Sequence, residues 1–299
     1  MADDLLLELS AVGHTYGDGN AGLDDCSLSI RRGSRNALLG ANGSGKTTLL
    51  LHLNGLLRPT AGSIRLDGEA LDYSRDGLTA LRRRVGLVFQ NPDRQLFSAN
   101  VFEDVSFGPL NLGLDDSSVR ERVAQALLAV GMHEHADRAV QHLSFGQKKR
   151  VCIAGVLAMQ PELLLLDEPM AGLDANMQRD LLVVLEGLSA RGITIVVATH
   201  DVDFAYRWAD AVHLLAAGRC TASFAARQLP QEEAALLAAG QSLPAVVEVH
   251  RLLALRGMAP AHPVPHCMQE LLSLLAASAH EESAMETPLF SPVGRRSAA

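Results

Sequence analysis

Lysine is nearly missing from this sequence. Of 299 residues only Lys46, Lys148 and Lys149 carry an ammonium group, and the other 23 of 26 basic side chains are arginine. Any motif that requires a lysine must therefore use one of three positions. Basic charge as a whole is outweighed, 26 Lys and Arg against 34 Asp and Glu, for a net charge of −8. That excludes the basic face on which phosphate-backbone neutralisation depends, so no nucleic-acid partner is expected. Long apolar runs are also lacking: none approaches the ~18 residues that a bilayer span requires. Met1-Ala2-Asp3-Asp4 has no basic region of a signal peptide. The expectation is a cytosolic chain, or one that docks on a membrane through another protein. Cysteine is sparse, and Cys26, Cys152, Cys220 and Cys267 are far apart, with no CxxC spacing. They read as free thiols rather than as a disulfide framework or a zinc site.

What is present is the composition of a globular protein, 48% hydrophobic and 20% charged. At roughly 150 residues per domain the length suggests about two domains. Residues 226–299 hold seven of the 12 prolines and neither Asp nor Lys, and the last Asp is Asp210. This shift predicts a first domain over 1–225, a helical extension over 226–279 and a disordered, Ser/Pro/Ala-rich tail over 280–299. Within the first part, short apolar strands alternate with helices. Leu5 to Val12, Ser27 to Ile30, Asn36 to Leu39, Ser63 to Leu66 and Val85 to Phe89 read as strands, as do Leu163 to Leu166, Ile193 to Ala198 and Val212 to Leu215. Lys46 to Leu57 reads as a helix stopped by Pro59, and Val119, Val123, Leu127 and Val130 recur at helical spacing behind Ser117 and Ser118 as caps. Val246 to Leu255 and Met268 to Ala276 read as helices of the extension. The alternation predicts an α/β sheet.

Between a predicted buried strand and a predicted helix lies Gly40-Ala41-Asn42-Gly43-Ser44-Gly45-Lys46-Thr47-Thr48. This fits a phosphate-binding loop in its required context. Gly43 and Gly45 let backbone amides turn toward a polyphosphate, the helix directs its positive dipole end there, and Lys46 adds a point charge. Gly40, Asn42, Gly43, Ser44, Gly45, Lys46, Thr47 and Thr48 are the expected nucleotide-binding set, with Thr47 as a Mg²⁺ ligand. A second signal is Leu163-Leu164-Leu165-Leu166-Asp167-Glu168-Pro169. A buried strand does not end in two adjacent carboxylates without a use for them. Asp167 would hold Mg²⁺ through water, and Glu168 would polarise the attacking water as general base. A GTPase would need an Asn-Lys-x-Asp element, and none of the three lysines sits in one. A third element, Leu143-Ser144-Phe145-Gly146-Gln147-Lys148-Lys149-Arg150, opens a helix of small apolar residues and forms a second anion site at a helix terminus.

These elements together resemble the ATP-binding subunits of ABC transporters over about residues 5 to 220: phosphate loop, Gln90 after the strand Val85 to Phe89, signature at Ser144, Asp167-Glu168, Gly172-Leu173-Asp174 and His200. The resemblance implies a phosphate-loop ATPase cassette with a helical subdomain and an antiparallel β subdomain, binding ATP and Mg²⁺. It implies a head-to-tail dimer, in which Ser144, Gly146 and Gln147 of one subunit close over the phosphate loop of the other and Asp174 lies at the seam. By the same resemblance Gln90 contacts Mg²⁺ and the attacking water, His200 touches the γ-phosphate, and adenine stacks on Tyr16. The catalytic set is then Glu168, His200 and Gln90, and the metal set Thr47, Gln90 and Asp167.

Gln90-Asn91-Pro92-Asp93-Arg94-Gln95-Leu96-Phe97 and Glu103-Asp104-Val105-Ser106-Phe107-Gly108-Pro109 resemble the energy-coupling-factor ATPases, particularly those of cobalt and nickel uptake. That branch implies an integral membrane energy-coupling subunit, a substrate-capture subunit and a peripheral position on the cytoplasmic face of the cell membrane. The coupling helices would enter a groove walled by Leu96, Phe97, Val101 and Phe107. Two residues depart from the general family pattern: Phe145 stands where most members have Gly, and Met170 replaces a small polar residue. A vitamin importer of the same type is the nearest alternative. A soluble ABC ATPase of DNA repair or translation would carry a long coiled-coil insertion or two cassettes, and neither is seen.

Overall fold

The computed structural model describes residues 4–285. Its secondary structure begins with strands β1 (Leu5–Thr15), β2 (Ala21–Arg31) and β3 (Arg35–Leu39), then helix α1 (Lys46–Leu53). There follow β4 (Ala61–Leu66), β5 (Glu69–Ala70), α2 (Arg75–Arg84) and β6 (Val85–Val88). A helical stretch comes next, α3 (Val101–Asn111), α4 (Asp116–Ala129) and α5 (Phe145–Leu157). The chain then alternates β7 (Leu163–Asp167), α6 (Ala175–Ala190), β8 (Thr194–Thr199), α7 (Val202–Trp208), β9 (Ala211–Ala216) and β10 (Arg219–Ala225). It closes with α8 (Glu233–Ala238), α9 (Ala245–Leu255) and α10 (Met268–Met285).

Two sheets carry the fold. An antiparallel sheet has the order β2-β1-β4-β5, and a second has the order β10-β9-β3-β8-β7-β6. In the second sheet every pairing from β9 to β6 is parallel and only the edge strand β10 is antiparallel. Strands β7 and β8 are buried at every residue, as their continuous apolar runs require of a sheet covered on both faces. The main core packs Leu6, Val12, Ile30, Leu38, Leu49, Leu53, Leu165 and Val196 together, joining both sheets through α1. Because the parallel strands share one direction, the C-terminal ends of β3, β7 and β8 place Gly40, Glu168 and His200 along one edge. Ligands in such sheets bind at that edge.

The two sheets are also joined by charge. Glu162, just before β7, accepts from Arg84 Nε at 2.7 Å and Arg32 Nη1 at 2.7 Å, and both arginines also pair with Asp67. The arginines hold the Glu162 carboxyl down at about 2, against an ordinary value near 4.5. The pairing therefore stabilises the fold above pH ~4.5 and is lost as pH falls toward 2. The Glu162 side chain is 40% exposed, so solvent screening limits the contribution to about 1 kcal/mol. Denaturant titrations at pH 7 and pH 3.5 should show a smaller loss of stability on acidification for Glu162→Gln than for the natural chain. An equal loss would assign the acid sensitivity elsewhere.

Several sequence expectations need correction. Helix α1 ends at Leu53 with Asn54 as its cap, short of Leu57, and Asn54 Nδ2 donates to Val85 O at 2.6 Å. The cap of α4 is Asp115, whose carboxylate accepts from the amides of Ser117 and Ser118, so the two serines are recipients of the cap. Compact units divide at Ser242 and Leu243, not near residue 225. Residues 226–242 fold with the cassette because Ala226, Leu229 and Leu236 are buried there and Ala226 N donates to Asp210 O at 3.0 Å. Loss of Asp and Lys marks a change in surface chemistry, whereas apolar burial decides where the unit ends.

The second unit contains α9 and α10. Within it His250 Nε2 donates to Pro260 O at 2.9 Å, and the Glu270 carboxylate accepts from His266 N at 2.7 Å at the start of α10. Helix α10 continues through Met285, so residues 280–285 of the expected tail are helical; the rest, 286–299, lies outside the described residues.

Candidate active site

The loop from β3 to α1 is closely confined. A Cβ on Gly40 would collide with the Leu215 carbonyl oxygen, and Gly45 has φ +104° with the Gly22 carbonyl oxygen 2.8 Å from where its Cβ would lie. Only glycine meets both conditions without strain. Lys46 folds over the loop, donating to Gly40 O at 2.7 Å and Ala41 O at 3.0 Å, with Nζ 3.8 Å from Glu168 Oε1. Burial pulls its ammonium below the ordinary lysine range, while Glu168 and Asp167 pull the other way. Ser44 Oγ is buried in the same loop without a hydrogen-bond partner. A buried polar atom of this kind costs stability unless a polar ligand engages it.

Strand β7 delivers the carboxylates. Thr47 Oγ1 donates to Asp167 Oδ2 at 2.9 Å, so the two expected metal ligands meet although 120 positions separate them. Burial raises the Asp167 carboxyl above its ordinary value, against the pull of the Thr47 hydroxyl. Glu168 has φ +44°, a left-handed conformation that a non-glycine residue holds only when its surroundings impose it. Its Oε1 accepts from His200 Nδ1 at 3.0 Å. Gln90, Thr47 and Asp167 line one cavity of about 570 Å³, together with Phe89, Arg94, Phe145 and Gly172. Oxygen atoms of hydroxyl, amide and carboxylate type are the donors that Mg²⁺ prefers, and the residues present fit that ion.

Tyr16 sits on the other side of α1. Its hydroxyl shares a hydrogen bond of 2.8 Å with Thr48 Oγ1, and its ring packs edge-on against His14, which in turn packs on His52. His52 Nδ1 donates to Thr48 O at 2.7 Å, so both ends of the ring stack return to one residue of the loop helix. Tyr16 is 38% exposed.

Comparison with known proteins shows the family. The family model described as ABC transporter matches residues 23–171. The energy-coupling factor transporter ATP-binding protein EcfA of Methanothermobacter thermautotrophicus is 43% identical over 276 residues, 92% of this chain and 89% of that protein. The cobalt import ATP-binding protein CbiO of Rhodobacter capsulatus is 50% identical over 244 residues, 82% of this chain and 87% of that protein. Among solved structures, CbiO1 of Clostridium perfringens, part of the complex CbiONQ, superposes with a TM-score of 0.73 at 40% identity, covering 85% of this chain and 96% of that one. The chain belongs to the ABC transporter ATP-binding proteins. It is an ATPase subunit of the energy-coupling-factor and CbiO type.

The expected signature residues and Asp174 are placed by helix caps. Ser144 caps α5 in a reciprocal box: its Oγ accepts from Gln147 N, and Gln147 Oε1 accepts from Ser144 N at 3.0 Å. Ser144, Gly146 and Gln147 line a separate cavity of about 210 Å³ with Arg150, Leu173 and Met177. Asp174 caps α6 through Oδ1, which accepts from the amides of Asn176 and Met177 at 2.9 Å. Thus Thr47, Gln90 and Asp167 share a cavity with Phe145 of the signature, while Ser144, Gly146 and Gln147 line another.

Three residues were not legible as part of the site. Gln147 Nε2 donates to His135 Nε2 at 3.1 Å, which ties the signature to a turn of the helical subdomain. With its side-chain amide turned nitrogen toward His200, the orientation that satisfies both partners, Gln241 bridges the two loops, donating to His200 O at 3.1 Å and accepting from Ala41 N at 3.3 Å. Lys149, buried to 3% exposure, donates to the turn after Glu168. Burial lowers its ammonium to about 8, opposed by Glu168, so it stays protonated at neutral pH. Only the scarcity of lysine gave it a signal in the sequence.

Proposed function

We propose that the chain hydrolyses ATP to energise import across a membrane, as one of two identical cassettes docked on an integral membrane partner, with Co²⁺ or Ni²⁺ as cargo. The observation that carries this reading is the convergence of Lys46, Thr47, Asp167, Glu168 and His200 on one loop. In this reading the loop amides and Lys46 bind the polyphosphate, while Thr47, Gln90 and Asp167 hold Mg²⁺, which neutralises phosphate charge when bound. Adenine stacks on Tyr16. Glu168 accepts a proton from the water that attacks the terminal phosphorus; the bond to the bridging oxygen breaks, and ADP and phosphate leave. His200 orients Glu168 through the 3.0 Å hydrogen bond and reaches the departing phosphate from the exposed side of that pair.

The signature supports pairing of two cassettes. Ser144, Gly146 and Gln147 line a different cavity from Thr47, Gln90 and Asp167, and a second copy placed head to tail would bring them to its partner's ATP. A cassette 28% identical, MJ0796, is a dimer in its post-hydrolysis state with ADP and phosphate bound. ATP binding would favour the closed dimer and hydrolysis the open one, and that differential affinity does work on the membrane partner. No helix among the described residues is long and apolar enough to cross a membrane, so the translocation path would come from other subunits, with this one peripheral on the cytoplasmic face.

The docking face is aromatic. Asp104, buried in α3, accepts from Phe97 N and Ser98 N at 2.9 Å each, which fixes a loop that leaves Phe97 64% exposed. Phe107 lies edge-on at 4.8 Å, and Leu110 adds to the face. Val101 is fully buried, so it belongs to the core of the helical subdomain and not to the groove wall. A helix of a membrane subunit fits such a face. Coexpression with an integral membrane coupling subunit of an energy-coupling-factor transporter tests the reading: the natural chain should copurify in detergent, and Phe97→Glu with Phe107→Glu should lose at least about tenfold in affinity while still binding ATP. Equal copurification of the double variant would refute the face. Metal uptake that survives deletion of the gene while vitamin uptake fails would replace the cargo.

A further inference from the structure

The turn after Glu168 is held from an unexpected direction. Lys149 reaches back from α5, and its ammonium donates to three carbonyls of the turn: Pro169 O at 2.7 Å, Ala171 O at 2.7 Å and Glu168 O at 3.2 Å. An ammonium has three donors and no acceptor, so this group is saturated. Arginine could not replace it, because a planar fork does not converge on three carbonyls from one point. Phe145, one turn earlier on α5, completes the grip. Its ring lies 5.3 Å beneath the Lys149 ammonium and packs against Gly172, where a Cβ would come within 3.0 Å of the ring. The departure at Phe145 and one of the scarce lysines thus converge on the segment 168–172, whose first residue holds φ +44°.

We propose that Lys149, backed by Phe145, is a positioning residue that fixes the strained backbone of Glu168 and makes the signature helix and the general base of one chain move as a unit. This rests on the proposed role of Glu168. A non-glycine residue in the left-handed region is strained and persists only when over-determined; here a buried charge removes that freedom at the carbonyl of Glu168 itself. In a head-to-tail dimer the signature helix senses the partner's ATP while Glu168 acts on its own. The clamp is then the short link by which occupancy of one site sets the base of the other.

Lys149→Met keeps an unbranched side chain one atom shorter and removes every donor; Lys149→Gln keeps two. In the purified full-length chain Lys149→Met should lower kcat for ATP at least about tenfold, since small misplacements of a reacting group cost up to about 10² in rate, with Kd for ATP within about threefold of the natural chain. Lys149→Gln should lie between. The decisive arm is single-turnover hydrolysis in a Glu168→Gln background, where Lys149→Met should cause no further loss because the group it positions no longer acts as a base. A folded Lys149→Met with natural kcat overturns the proposal, and so does an equal loss in both backgrounds. Should Lys149→Met fail to fold, the same two criteria apply to Lys149→Gln. Failure of the underlying reading is distinct: Glu168→Gln alone would then hydrolyse at the natural rate.

Discussion

Replacing Glu168 by glutamine is expected to slow steady-state ATP hydrolysis by about 10²- to 10⁴-fold, the range that a positioned general base contributes, while ATP still binds. The amide has nearly the shape of the carboxylate, and its oxygen can still accept from His200 Nδ1, now 3.0 Å from Oε1. What it loses is the ability to take a proton from water. Binding should persist because the loop amides and Lys46 are untouched. Lys46 even loses a competing anion 3.8 Å away, which favours its turning toward phosphate. Lys46→Ala gives the opposite phenotype. It removes the only ammonium over the loop and should raise Kd for ATP at least about tenfold. Equilibrium binding of a fluorescent ATP analogue, measured beside phosphate release, separates the two. Turnover near the natural rate in Glu168→Gln would refute the assigned mechanism.

The centre is legible in the sequence for a physical reason. Lys46, Thr47, Asp167 and Glu168 lie at fixed offsets from two strand ends, β3 and β7, and parallel strands bring those ends to one edge of the sheet without help from any other contact. Strand, glycine turn and helix start are all local, so the loop could be located from nine consecutive residues. The same is true of Ser144 and Gln147, three positions apart and joined in one capping box. Contacts that cross the chain left no such trace. Gln241 reaches Ala41 and His200 from a segment whose composition suggested a separate domain, and nothing in its neighbours marks it. Lys149 stands out only as one of three lysines, whereas its partners lie in the turn after β7. The cap of α4 shows the limit at short range as well. Asp115, Ser117 and Ser118 are all good caps, and only the extended backbone at Asp115 decides among them.

Separation of the signature from the phosphate loop leads to the prediction with the sharpest contrast. Take two inactive chains, Lys46→Ala and Gly146→Asp. The first cannot hold ATP in its loop; the second places a carboxylate where the partner's γ-phosphate would lie, beside Met177 Sδ, which is 3.0 Å from the position of an added Cβ. Each homodimer has two damaged sites. In a head-to-tail heterodimer the Lys46→Ala loop faces the Gly146→Asp signature, so both lesions fall in one site and the other is intact. Random pairing of an equal mixture makes half the dimers mixed, and independent sites would restore about a quarter of the natural rate. Recovery below that value would measure how far one site depends on the other, which is the dependence expected if Lys149 joins each signature to the base of its own chain. Chains carrying both substitutions provide the control, because no pairing of them yields an intact site. If tagged heterodimers form and remain as inactive as either parent, either the sites are not built from two chains or neither works alone. Crosslinking of single cysteines placed in the loop of one chain and the signature of the other separates those outcomes, since only a site shared between chains brings the two thiols within disulfide reach.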